Sequence, residues 1–141
     1  MSFDVSVVKK DFPLLSREEN GEPLIYLDSA ATSQKPQKVL EVVDSYYREI
    51  NANVHRGAYR LAEQATTAME DAREKVSNFI KSDRSEEIIF TKNATESINL
   101  VARSWGESNL NEGDVVLVSS LEHHANIVPW HQLAESRGIE V

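Results

Sequence analysis

The order of apolar runs between Glu87 and Val141 restricts this chain more than any other feature. Ile88-Ile89-Phe90-Thr91 is a short apolar run, followed by residues 94–105, in which Ile98, Val101, Ala102 and Trp105 recur at helical spacing. Gly113-Asp114 reads as a turn. Val115-Val116-Leu117-Val118-Ser119 is a second apolar run, and a second helical stretch covers about residues 127–137. Gly138 suits the position after that helix, because glycine takes the left-handed backbone without a Cβ clash. Ile139-Glu140-Val141 opens a third run. Strand, helix, strand, helix, strand predicts an α/β fold, a parallel sheet flanked by helices. Domain boundaries prefer exposed polar linkers. A close on an apolar run therefore predicts a truncated sheet, with a short edge strand finishing a small domain as the alternative.

Ahead of that region the pattern is helical and extended. Residues 5–12 suit a short helix stopped by Pro13, and residues 16–23 are polar and turn-like around Asn20-Gly21. Leu24-Ile25-Tyr26-Leu27 reads as a short strand running into Asp28-Ser29-Ala30-Ala31-Thr32. Pro36 suits a first helical turn, where its missing N–H does no harm. Val39, Val43, Tyr46, Tyr47 and Ile50 then fall on one face. After the loop of residues 51–57 comes the most periodic element, with Leu61, Ala65, Ala68, Met69, Ala72, Val76, Phe79 and Ile80 three and four residues apart.

Composition removes several kinds of function. The chain contains no cysteine, so disulfides, a thiol nucleophile and thiolate metal ligands are excluded within it. Its net charge is −8 and its basic residues are scattered, which argues against nucleic-acid or anionic-membrane partners, both of which need a concentrated positive patch. No apolar run approaches the roughly 20 residues of a membrane span. The start, Met1-Ser2-Phe3-Asp4, lacks the basic and apolar regions of a secretory signal, so a cytoplasmic location is expected.

Three segments are candidates for chemistry. Lys92-Asn93-Ala94-Thr95-Glu96 lies between an expected strand and an expected helix, at the carboxyl edge where open parallel sheets bind ligands. Asn93 suits the cap, Glu96 stands three residues on as in a capping box, and the Thr95 hydroxyl remains for an anion. An ordinary cap with no ligand fits the same residues. Glu122-His123-His124-Ala125-Asn126 follows the second strand at the same edge, where an imidazole can stack on a flat cofactor or move protons. His124 and His131 read better as structural or surface histidines. No histidine spacing suggests a metal site. In Asn53-Val54-His55-Arg56-Gly57, Arg56 can grip a carboxylate or phosphate, bridge two subunits, or stand solvated. Glu63, Glu70, Asp71 and Glu74 lie mostly off the apolar stripe of the long helix and read as a solvated face.

Taken in order, Leu27-Asp28-Ser29-Ala30-Ala31, Val54-His55-Arg56-Gly57, Phe90-Thr91 with Thr95-Glu96-Ser97-Ile98-Asn99-Leu100-Val101, and Glu122-His123-His124-Ala125-Asn126-Ile127-Val128-Pro129-Trp130 resemble the SufS-type (group II) cysteine desulfurases of the class-V aminotransferase family. The resemblance covers nearly the whole chain, and the string from Glu122 to Trp130 is its most specific part. It implies the aspartate-aminotransferase-like fold type I, with residues 1–60 as an N-terminal helical and extended segment and 61–141 as the first part of the large cofactor-binding domain.

The same resemblance implies pyridoxal 5'-phosphate as cofactor and L-cysteine as substrate. The products would be L-alanine and an enzyme persulfide, whose sulfur passes to an acceptor protein of iron–sulfur cluster assembly. Ala94 and Thr95 would bind the cofactor phosphate. His123 would stack on the pyridine ring and move protons. Ala30 and Ala31 would line the substrate side, and His55 and Arg56 would lie near the site mouth or serve the partner of a homodimer. Related sequences usually show Gly-Thr-Thr where this one has Asn93-Ala94-Thr95, so a contact at Ala94 comes from its N–H and the side-chain contact from Thr95.

The family's cofactor-linking lysine, its aspartate on the pyridine nitrogen, its arginine for the substrate carboxylate and its nucleophilic cysteine would all lie beyond position 141. The chain by itself is therefore expected to be inactive and, with apolar strand edges uncovered, marginally stable. Selenocysteine lyase, cysteine sulfinate desulfinase or another class-V relative, and a non-catalytic binding module, are the alternatives.

Overall fold

The structure, a computed structural model, describes residues 4–141. Met1, Ser2 and Phe3, part of the start read as lacking a secretory signal, lie outside the described residues. The chain divides into two compact units, one running to Ser85 and the other covering Glu86–Val141.

In the first unit, helix α1 spans Val5–Lys9. Its cap is Asp4, whose Oδ1 accepts bonds from the Ser6 N–H at 2.9 Å and the Ser6 hydroxyl at 2.7 Å. A 3-10 turn, Pro13–Ser16, follows. Strands β1 (Glu18–Glu19) and β2 (Glu22–Pro23) form an antiparallel hairpin. Its two turn residues, Asn20 at φ 56° and Gly21 at φ 81°, are both left-handed. This is the type I′ geometry, whose backbone twist matches that of the flanking strands.

Helix α2, Gln37–Ser45, begins just after Pro36 and widens into a π-helical turn, Tyr46–Ile50. Helix α3, Arg60–Ile80, stops at Lys81, which adopts the left-handed conformation at φ 58°. The buried residues of α3 are Ala62, Ala65 and Ser77, whereas Phe79 is 87% exposed. The periodic stripe is thus buried only near its start. Gly57 explains that end. A Cβ there would collide with the Cβ of Ala62 and stand 2.7 Å from the Tyr59 ring, so the loop sits directly on the first turn of α3.

In the second unit, α4 (Ala94–Val101) continues through a π-helical turn, Ala102–Gly106, into the short α5 (Glu107–Asn109). Helix α6, Val128–Arg137, ends at Gly138 with φ 68°. The core is small: Ile88, Ala102, Pro129, Leu133 and Ile139 are buried. Gly106 permits the close packing of the π turn on α6, because a Cβ there would come within 2.8 Å of Leu133 Cδ2. Trp105, expected to point inward, is 56% exposed. Val101, also expected inward, is 47% exposed, whereas Ala102 is buried as expected; past Ala102 the wider π turn shifts each following side chain around the axis.

The expected sheet is the principal correction. Among the described residues the only strands are those of the hairpin, and the parallel element is one bridge between Val115 and Glu140. The Val116 N–H donates to Glu140 O and the Glu140 N–H to Asp114 O, each at 2.9 Å. The direction agrees with the sequence reading, but the continuous parallel sheet does not form. A ladder needs at least two consecutive pairs, as in the hairpin, and among the described residues these two runs line up over one pair. Side chains along the second run still alternate as in a strand. Val116 and Val118 are half-buried, whereas Val115 and Leu117 are exposed, Leu117 at 94%. One face is covered and the other is bare.

Candidate functional site

The start of α4 is built by bonds among its own neighbours. Asn93 is extended at φ −169° and its Oδ1 accepts the Glu96 N–H at 2.9 Å. Glu96 reaches back to the Lys92 N–H at 2.6 Å, one residue before the usual partner in a capping box. The Thr91 and Ser97 hydroxyls lie 2.6 Å apart and tie the incoming segment to the second turn. With the cap bonded to Glu96, the N–H groups of Ala94 and Thr95 keep no acceptor among the described residues. Both residues are exposed, and the Thr95 hydroxyl is likewise unbonded there. Two free N–H groups, a hydroxyl and the positive end of the helix dipole make a donor set that fits a phosphate.

A 3-10 turn, His124–Asn126, packs beside α4. His123 caps this turn, and its Nδ1 accepts the Ala125 N–H at 3.1 Å. An accepting Nδ1 leaves the proton of the neutral ring on Nε2. His123 is exposed, so its ring is open to a ligand. The His123 and His124 rings meet edge to face, with centroids 6.3 Å apart and planes at 89°. Two of the sequence-selected segments therefore come together in one unit.

The other selected residues belong to the first unit. Ala30 and Ala31 lie exposed in a turn where the Ala31 and Thr32 N–H groups both donate to Asp28 O, at 3.2 and 3.0 Å. The Tyr26 hydroxyl closes the turn by donating to Thr32 O at 2.5 Å. His55 is left-handed at φ 64°. Its N–H donates to Thr66 Oγ1 at 3.0 Å, and its Nε2 lies 2.9 Å from Glu70 Oε1. Arg56 is exposed beside an open groove of about 630 Å³ lined by His55, Gly57, Tyr59, Arg60, Glu63 and Thr66.

Glu70 therefore departs from the solvated face assigned to it. Its i,i+3 spacing to Arg73 was visible in the sequence, but nothing local signals a partner 15 residues away. Asn126, in sequence only one member of the motif from Glu122 to Trp130, has both ends of its side chain bonded. Among the described residues no cluster of His, Asp and Glu side chains could hold a metal ion. No helix among them is long and apolar enough to cross a membrane.

The pattern that defines the aminotransferase class-V family matches residues 25–141. A probable cysteine desulfurase of Halalkalibacterium halodurans is 55% identical over 131 residues, covering 93% of this chain and 32% of that protein. A cysteine desulfurase of Pectobacterium carotovorum is 53% identical over 141 residues, covering 100% of this chain and 35% of that protein. The solved structure of a cysteine desulfurase from Thermococcus onnurineus matches with a TM-score of 0.85 at 39% identity, over 99% of this chain and 33% of that one. The chain spans about a third of the length of these relatives.

Proposed function

This chain belongs to the class-V aminotransferase family, and we propose that it provides the phosphate-holding and histidine-bearing part of a pyridoxal-phosphate-dependent cysteine desulfurase of the SufS type. The reading rests chiefly on one observation, the open first turn of α4 packed in the same unit as the His123 turn. The reaction is release of sulfur from L-cysteine to leave L-alanine, with the sulfur passed as a persulfide to an acceptor of iron–sulfur cluster assembly. The acting enzyme is a homodimer of fold type I. Because this chain contains no cysteine, the persulfide is carried by another part of the enzyme.

When bound, pyridoxal phosphate supplies an electron sink for bonds to the substrate α-carbon. The N–H groups of Ala94 and Thr95 and the Thr95 hydroxyl hold the phosphate, aided by the α4 dipole. His123 would stack on the ring of the cofactor, with Nε2 as the nitrogen that would hold or move a proton. Ala30 and Ala31 line the substrate side, where their small side chains leave room. His55 and Arg56 serve the site mouth or the subunit interface, with the guanidinium suited to a carboxylate.

The test is binding of pyridoxal phosphate to the purified chain by equilibrium dialysis, compared with pyridoxal. The phosphate compound binds and pyridoxal does not. Thr95→Ala weakens binding about tenfold, the effect of one hydrogen bond to a charged group. Equal binding of pyridoxal and its phosphate overturns the assignment of this turn.

A further inference from the structure

The His123 turn is held from outside by a single side chain. Asn126 Nδ2 donates to Glu122 Oε2 at 3.1 Å, and Asn126 Oδ1 accepts the Trp130 indole N–H at 3.1 Å. The Asn126 N–H donates to His123 O at 2.8 Å. One residue thus spans the position before His123, His123 itself, and the first turns of α6. The indole end of the link is half-buried, and Pro129 next to it is buried, so that end is anchored in the core.

We propose that Asn126 is a positioning residue for His123. Its carboxamide holds the 3-10 turn shut, which keeps the Ala125 N–H on His123 Nδ1 and the ring proton on Nε2. A ring that moves protons must present one chosen nitrogen, and the usual device is a hydrogen bond at the other nitrogen. Here that bond comes from a backbone N–H, which stays in place only while the turn keeps its shape. A carboxamide is required, because the side chain must donate to a carboxylate and accept from an indole N–H at once. Aspartate accepts from the indole but sets a second negative charge against Glu122. Leucine has similar bulk and makes neither bond. The catalytic importance of the device rests on the function proposed above, whereas the device itself does not.

Nitrogen-15 NMR of histidine-labelled chain reads the protonated ring nitrogen directly, with the His123 signals assigned by their loss in His123→Gln. In the wild-type chain, at a pH where the ring is neutral, His123 carries its proton on Nε2. In Asn126→Leu the two nitrogen signals move toward each other as tautomers exchange, and the Ala125 amide exchanges with solvent about tenfold faster, as loss of one hydrogen bond predicts. Trp130→Phe removes only the indole N–H and shifts both readouts in the same direction by a smaller factor. His124, His131 and the far-ultraviolet circular dichroism remain as in wild type.

A folded Asn126→Leu chain with unchanged His123 signals and Ala125 protection overturns the proposal. Unfolding of both variants also overturns it, since the network would then hold the fold rather than aim the ring. Absence of pyridoxal phosphate binding by the wild-type chain, with its His123 tautomer as described, counts against the proposed function alone.

Discussion

His55 Nε2 stands 2.9 Å from Glu70 Oε1, across 15 residues of sequence, while the other oxygen of Glu70 meets Arg73 Nε at 3.2 Å. The His55 N–H is also bonded to Thr66 Oγ1. Helix α3 thus supplies two anchors, one turn apart, to a residue in the left-handed conformation. Outside glycine this conformation costs about 1–2 kcal/mol, and it persists here because the anchors hold it.

Glu70→Gln removes the charge but keeps the shape. Both partners of the His55 pair are about half exposed, so global stability falls by no more than about 1 kcal/mol. The local effect is larger. Hydrogen exchange at the His55 amide accelerates severalfold while exchange in the middle of α3 does not change. Uniform acceleration along α3 would show that Glu70 supports the helix rather than the loop.

Gly57→Ala and Gly106→Ala test close packing against different kinds of neighbour. At Gly57 the new methyl meets the Cβ of Ala62, which cannot rotate away, and overpacking costs about 1–3 kcal/mol. At Gly106 it meets Leu133 Cδ2 at 2.8 Å, the mobile end of a side chain, and the cost is smaller. Urea titration of the two variants should give a lower midpoint for Gly57→Ala. The reverse order would place the tighter contact at α6.

The Asp4 carboxyl is held below its ordinary pKa of 3.8, first by the Ser6 hydroxyl and then by the Ser6 N–H. A depressed folded pKa gives stability that is present above about pH 3.8 and lost as pH falls through the lower folded value. Ser6→Ala should move the Asp4 titration, followed by carboxyl carbon NMR, back up toward 3.8. An unmoved titration would leave the N–H bonds as the cause.

Leu117 and Leu121 are 94% and 93% exposed, on the bare side of the second apolar run and its following turn. Leu117→Lys should change stability by less than about 0.5 kcal/mol, as for other surface positions. Self-association, followed by light scattering at rising concentration, should decrease because an exposed apolar strand face invites pairing. A large loss of stability would instead mean that Leu117 is covered in solution.

Much of the candidate site was legible because its bonds are local. Asn93 and Glu96 stand three residues apart, and that spacing alone marks both the cap and the reach back toward the preceding N–H. Exposure of Thr95 follows from the cap. The partner of His123 Nδ1, by contrast, depends on the 3-10 shape of residues 124–126, and the role of Asn126 depends on Trp130 turning its indole N–H inward. Residue types name the groups available, and only the backbone path decides which of them meet.

The same division runs through the fold. The sequence by itself determined the turn at Asn20-Gly21, the extent of α3, the stop of α6 at Gly138 and the cap of α4. Each depends on hydrogen bonds or conformational preferences spanning a few residues, so adjacent residue types carry the information. Tertiary structure alone decided that the apolar runs join in a single bridge, Val115 to Glu140, that α4 widens into a π turn and swings Trp105 outward, and that His55 is tied to Glu70. Those outcomes depend on which distant segments meet. A ladder or a long-range ion pair forms only where the whole chain path brings its two halves together.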